Sequence, residues 1–265
     1  MELLILLAAG AVAGTAAGLL GIGGGVIIVP VLSLVFARQG VDPQILIKVA
    51  VGTSLASIVV TAISSVRAHH RRGAVRWPLF RAMTPGIVVG SLVGAWLADL
   101  IPGAWLTVAF ILFLFGVAFQ MARGTPPAER DLPGPWVLRG VSAIVGVISA
   151  MMGIGGGALN VPFMSHCGVP VRQAIATAAA IGLPLAAAST LGFVVTGLNE
   201  PTLPPHSLGY VNLPAFAGVV GASILFAPLG ARLAHKLPEK ILKRTFAVFV
   251  FILALGMAYD LVIAS

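Results

Sequence analysis

Apolar runs of bilayer length, separated by short polar stretches, organise this chain almost from end to end. They fall at Leu3–Leu20, Ile45–Val66, Leu79–Leu100, Leu106–Met121, Val137–Met152, Ala174–Val195, Val211–Leu233 and Thr245–Ile263. A helix rises about 1.5 Å per residue, and about 20 apolar residues cross a hydrocarbon core about 30 Å thick. The pattern therefore predicts an all-α, polytopic, multi-pass membrane protein. The first run continues past any small-residue cleavage site, so it reads as a membrane segment and not a removable signal. Two runs are interrupted by glycine: "GLLGIGGGVIIVP" (Gly18–Pro30) and "AMMGIGGGALNVP" (Ala150–Pro162). As one helix, the stretch from Met1 to Phe36 would measure about 54 Å, too long for a single span. Each interrupted segment is thus expected to be helix–break–helix, with a new half-helix beginning near Val26 and near Ala158. The pieces after each break, Val26–Ala37 and Ala158–Cys167, are short for a full crossing.

The glycine motif is one block of an internal repeat. "GIGGGVIIVP" aligns with "GIGGGALNVP", and "KVAVGTSLAS" (Lys48–Ser57) with "RQAIATAAAI" (Arg172–Ile181). "HRRGAVRW" (His70–Trp77) then aligns with "HSLGYVNL" (His206–Leu213), and "GAWLADLIP" (Gly94–Pro102) with "GARLAHKLP" (Gly230–Pro238). Four blocks in one order divide the chain into a first transmembrane repeat, 1–122, a linker, 123–135, and a second repeat, 136–265.

Charge orients the two repeats. "RAHHRRGAVRW" (Arg67–Trp77) and "RLAHKLPEKILKR" (Arg232–Arg244) are basic and belong on the cytoplasmic side, whereas "LNEPTLPPH" (Leu198–His206) has no Lys or Arg and belongs outside. Single crossings alone would place the two basic loops on opposite faces. If each glycine-broken segment doubles back, each repeat holds that broken segment plus three further helices. The repeats are then inverted in topology and the linker is cytoplasmic. The composition agrees with a membrane protein: 58% of residues are hydrophobic and 9% charged, against about 25% charged in soluble domains. The formal net charge of +8 is explained by these loops, so no nucleic-acid partner is expected. A single cysteine excludes an internal disulfide and a cysteine metal cluster; no cofactor or metal is expected.

In a membrane, broken helices are tolerated where they are buried in protein or line a watery cavity. The N-terminus of the half-helix after a break carries unpaired N–H donors and the positive end of the dipole, which suits an anion. The candidate binding residues are therefore Gly23, Gly24 and Gly25 in the first break and Gly155, Gly156 and Gly157 in the second. Thr53, Ser54 and Thr177 lie mid-membrane in paired segments, and Asn160 follows the second break, where a polar side chain is costly without a partner. Against these roles, Thr and Ser often bond to their own helix backbone. Glycines often serve close packing, the reading preferred for "GTAAG" and "GSLVG". Lys48 and Arg172, at matched positions, either snorkel to the interface or draw anions inward. No strand precedes the glycines, they do not fit GxGxxG and no GK[ST] follows, so a nucleotide-phosphate loop is a poor alternative.

Taken together, the paired "GIGGG…VP" segments, "KVAVGTS", "HRRGAV" and "ATAAAIGLPLAAASTLGF" resemble the TauE/SafE family, described as sulfite exporters or sulfonate permeases. The resemblance covers nearly the whole chain. It implies a multi-pass transporter of the cytoplasmic (inner) membrane for small sulfur-containing oxyanions such as sulfite, sulfoacetate or other organosulfonates, and the expected mode is secondary transport by alternating access. An anion channel of similar architecture is the alternative. A membrane-embedded enzyme ranks below it, because the Ser and His residues do not converge at helical spacing in one span. The expected partners are a small anion and the lipid bilayer, and a homo-oligomer is compatible with the sequence.

Overall fold

A computed structural model of the chain describes residues 2–20, 24–123, 132–233 and 239–264. Before the Pro-rich loop these form α1 (Glu2–Leu20), α2 (Gly25–Arg38), α3 (Pro43–Arg71), α4 (Trp77–Leu100) and α5 (Gly103–Arg123). After it come α6 (Pro135–Met151), α7 (Gly157–His166), α8 (Val171–Gly197), α9 (Leu213–Leu233) and α10 (Glu239–Ala264). Both glycine-rich motifs separate two helices, and the second helix begins at Gly25 and Gly157, one residue earlier than the sequence suggests. At about 1.5 Å per residue, α2 and α7 are about 21 Å and about 15 Å long, too short to cross alone. Most of the linker and Gly23 lie outside the described residues.

Local chemistry sets the ends of the longest helix. Asp42 caps α3 by accepting from the N–H of Gln44 at 2.8 Å, and Pro43 occupies its first turn. The helix stops at Gly73, whose φ of +63° is left-handed and whose N–H donates to the His70 carbonyl. One element is not anticipated by the hydrophobic pattern. Residues 211 and 212 read as the start of an apolar helix but form a short antiparallel ladder, β1 (Ser207–Leu208) with β2 (Val211–Asn212). Gly209, at φ +54°, turns the chain there, and its Cα is pressed against the backbone of Val194. The ladder thus folds back onto α8.

Helix α3 is the axis of the molecule. Its most apolar stretch is 83% buried within the protein, against 33% for that of α5. On α5, Trp105 and Leu112 turn outward, as a lipid-facing surface requires. Glycine stripes set the closest approaches and reveal helix directions. The Cβ positions of Gly86, Gly90 and Gly94 on α4 are filled by the carbonyls of Arg139, Ala143 and Val147 on α6, so these two helices run parallel. Gly10 and Gly14 on α1 meet Val219 and Ser223 on α9 in the same parallel sense, and the Ser223 hydroxyl donates to the Gly10 carbonyl at 2.9 Å. In "GTAAG" and "GSLVG", Gly14, Gly90 and Gly94 therefore serve packing, as small-residue stripes do in membranes. By contrast α3 and α8 run antiparallel: Gly52 faces Phe193, while Ile58 and Ala62 line a cavity together with Gly182 and Ala178.

Candidate functional site

The two glycine breaks meet at the centre of the fold. A Cβ on Gly25 would collide with the carbonyl oxygen of Gly153 and stand 2.9 Å from Cα of Ile154. Gly153, at φ +65°, is pressed in turn by Val29 and Val51. Only glycine fits on either side of this crossing. The Ser54 hydroxyl donates to the Gly153 carbonyl at 2.8 Å. It thereby satisfies an acceptor that the interrupted helix leaves in the core.

Two threonines, Thr53 next to that crossing and Thr177 on α8, make the same bond. Thr53 Oγ1 accepts from the backbone N–H of Asn212 at 2.9 Å, and Thr177 Oγ1 accepts from that of Arg76 at 3.0 Å. Thr53 and Thr177 occupy matching places in the repeat, and so do Arg76 and Asn212. Both threonines are fully buried. Each receives the tip of the loop that follows the partner half's long helix, which carries Val75 in one case and Tyr210 and Val211 in the other into buried positions.

A small cavity opens beside the second break. Gly155, Gly156 and Gly157 form one wall, Thr61 and Ser65 on α3 another, and Gly182 on α8 a third. Gly157 begins α7, so the first-turn N–H groups of that helix lie at the wall. Asn160 stands one turn further on. It is fully buried, neither its Oδ1 nor its Nδ2 has a hydrogen-bond partner, and its Nδ2 lies 2.5 Å from where a Cβ on Gly156 would be. No protein group pairs with this amide, and a buried amide is costly without a hydrogen-bond partner. The first break differs: Gly24, at φ +75°, is held 3.0 Å (from its Cβ position) from the Ala13 carbonyl, and Gly25 is closed off by Gly153.

A second, wider recess lies at the α2–α3 turn, lined by Gln39, Asp42, Thr202, Pro205 and Asn212. Between the two recesses stands one layer of packed backbone. In it Gly52 abuts the Tyr210 carbonyl, Thr53 holds Asn212 and Ser54 holds Gly153.

The matched cations do not reach the cavity wall. Arg172 is exposed at the start of α8. Lys48 is buried, donates to the Asp99 backbone carbonyl and lies 3.8 Å from the Asp99 carboxylate. Asp99 also accepts from the Tyr210 hydroxyl at 2.7 Å, and burial together with this carboxylate pushes the Tyr210 phenol above its ordinary range. Asp99 stands near the end of an apolar run, where charge is cheap, so neither it nor Tyr210 is singled out by the sequence. The only local signal is that Lys48 needs a counter-charge if it is buried.

A family model described as "Sulfite exporter TauE/SafE" matches residues 6–257. Among curated proteins, a "probable membrane transporter protein" of Haemophilus influenzae is 34% identical over 259 residues, spanning 96% of this chain and 97% of its own. One of Methanocaldococcus jannaschii is 29% identical over 263 residues, with 96% and 94% covered. The "probable inner membrane transporter protein TsaS" of Comamonas testosteroni is 27% identical over 190 residues, covering 71% and 74%. No solved structure matches the chain.

Proposed function

The chain belongs to the TauE/SafE family of membrane transporters, and from that premise we propose that it is a secondary transporter carrying small sulfur-containing oxyanions, such as sulfite, sulfoacetate or other organosulfonates, across the cytoplasmic membrane by alternating access. The observation that carries this reading is the cavity at Gly155–Gly157, with the unpartnered Asn160 amide packed against its wall. Backbone N–H groups at a helix start and a neutral amide are donors only lightly charged, which an oxyanion can accept from inside a low-dielectric protein.

Alternating access draws support from the two recesses on either side of one sealing layer. The inner recess extends along α3 from Ile58 toward the basic stretch beginning at Arg67, which the positive-inside rule assigns to the cytoplasm. Inverted repeats draw support from the antiparallel α3 and α8, which occupy matching places in the two halves. The exchanged pairing of α1 with α9 and α4 with α6 supports them as well. In this scheme α1 and α6 enter, break at the centre, and α2 and α7 return. One repeat then rocks against the other around a central site.

Counterflow in proteoliposomes tests the proposal. Sulfite and short sulfonates should show saturable uptake that accelerates when the same anion is loaded inside. Uptake that rises linearly and ignores internal anion would indicate a channel, and no anion-dependent flux at all would refute the substrate class.

A further inference from the structure

We propose that the tip of the loop between α3 and α4, Ala74–Arg76, is the cytoplasmic gate of the cavity and opens more readily than its counterpart in the other half. This inference rests on the alternating-access reading and names the element that moves first.

The tip lies against α8 at the edge of the cavity. Val75 is buried with Ala176 and Ala180 of α8 in a small apolar cluster of their own, and Val66, Trp77 and Phe80 are partly buried against it. Arg76 donates its N–H to Thr177 Oγ1 at 3.0 Å. The same stretch of α8 gives Ala178, Ala179 and Gly182 to the cavity lining, and α3 gives Ser65, the neighbour of Val66. Arg67 and Arg76 are exposed here, so an anion entering as the tip lifts meets positive potential.

The matching tip in the other half, Tyr210–Asn212, is tied at many more points. The Tyr210 hydroxyl donates to Asp99 at 2.7 Å and its N–H to the Phe193 carbonyl at 3.2 Å, while Lys48 Nζ stands 5.8 Å from the centre of its ring. Asn212 donates to Thr53, and Tyr210 belongs to the main core. Ala74 occupies the place of Tyr210 in the repeat and has no ring to anchor. The glycines that turn the two tips differ in the same sense. Gly209 is pressed against the backbone of Val194, whereas the Cβ position of Gly73, at φ +63°, meets nothing within 4 Å. Gly73 is thus free to act as a hinge at the end of α3. Each hydrogen bond and each buried apolar surface adds to the cost of opening, so the Ala74–Arg76 tip lifts first.

The test uses the intact protein carrying Cys167→Ser, which removes its single cysteine. With Val75→Cys and Ala180→Cys added, oxidation should crosslink the tip to α8 and lower sulfite counterflow in proteoliposomes at least about tenfold, and dithiothreitol should restore it. Gly182→Cys separately reports on the cavity, because a Cβ there approaches only the Gly156 nitrogen, at 3.7 Å. In inside-out vesicles a membrane-impermeant thiosulfonate reagent should label it, and adding Val75→Ser should speed the labelling at least about fivefold, whereas Val211→Ser should not. Failure to crosslink, counterflow undiminished by the crosslink, or labelling that Val75→Ser leaves unchanged or Val211→Ser speeds equally overturns the gate. Absence of sulfite flux in the wild type overturns the transport reading, and the labelling rates then decide the gate by themselves.

Discussion

Thr53 holds the backbone N–H of Asn212 at 2.9 Å, tying the centre of α3 to the tip of a loop 159 positions away. Thr177 and Arg76 repeat the bond at 3.0 Å. The layer between the two recesses is thus bonded through Thr53, and the loop that follows α3 through Thr177, by hydroxyls that the sequence nominates as anion ligands.

Replacing either threonine by valine removes the acceptor and keeps the shape. Asn212 is buried, so its orphaned N–H cannot find water, and Thr53→Val should cost about 1–3 kcal/mol. Arg76 is exposed, so Thr177→Val should cost less. Melting temperatures of the two purified variants check this, and equal shifts would contradict the assignment.

Gly25 and Gly116 provide a matched pair for the crossing of the breaks. A Cβ on Gly25 meets the Gly153 carbonyl, whereas one on Gly116 meets nothing within 4 Å. Gly25→Ala should destabilise by about 1–3 kcal/mol through overpacking. Gly116→Ala in mid-helix should be neutral or stabilising by up to about 1 kcal/mol. Thermal melts in detergent distinguish them.

Asn160→Leu separates function from stability by sign. The substitution deletes two unpaired buried polar atoms, so the ligand-free protein should melt no lower than the wild type. Stabilisation by methanesulfonate should disappear. A large loss of stability without anion would mean that the amide is a structural element.

The Lys48–Asp99 pair should respond unequally to its two deletions. Lys48 retains 10% side-chain exposure and Asp99 29%. Asp99→Asn leaves the more buried charge without its partner and should be the more destabilising. Lys48→Met leaves a carboxylate that water can still reach and that Tyr210 still donates to. The order of the two melting temperatures is the readout.

The overall frame is legible in the sequence because it rests on period and length: the apolar runs, the two copies of GIGGG, and a Met1–Phe36 stretch too long for one span. Helix starts at Gly25 and Gly157 follow from the same glycines. What the sequence does not reveal depends on contacts between distant positions. Nothing local shows that Ser54 would satisfy Gly153, that Thr53 would receive a backbone N–H from residue 212, or that Val211 would leave its apolar run for a two-residue strand. Matching residues also suggest matching roles, yet Lys48 is buried against Asp99 while Arg172 is exposed. Identical motifs in two halves fix equivalent positions, and the neighbours each half supplies make them different.

The most direct test of the account is sulfite counterflow by the wild type and by Gly156→Ala. The added methyl would lie 2.5 Å from the Asn160 amide and 3.4 Å from Leu185, so side chains and not backbone must yield. The prediction is saturable exchange in the wild type, a loss of at least about tenfold in the variant, and a melting temperature lowered by less than that of Gly25→Ala, as expected when a flexible side chain can shift. Undiminished exchange by Gly156→Ala would contradict an anion site at the second glycine break.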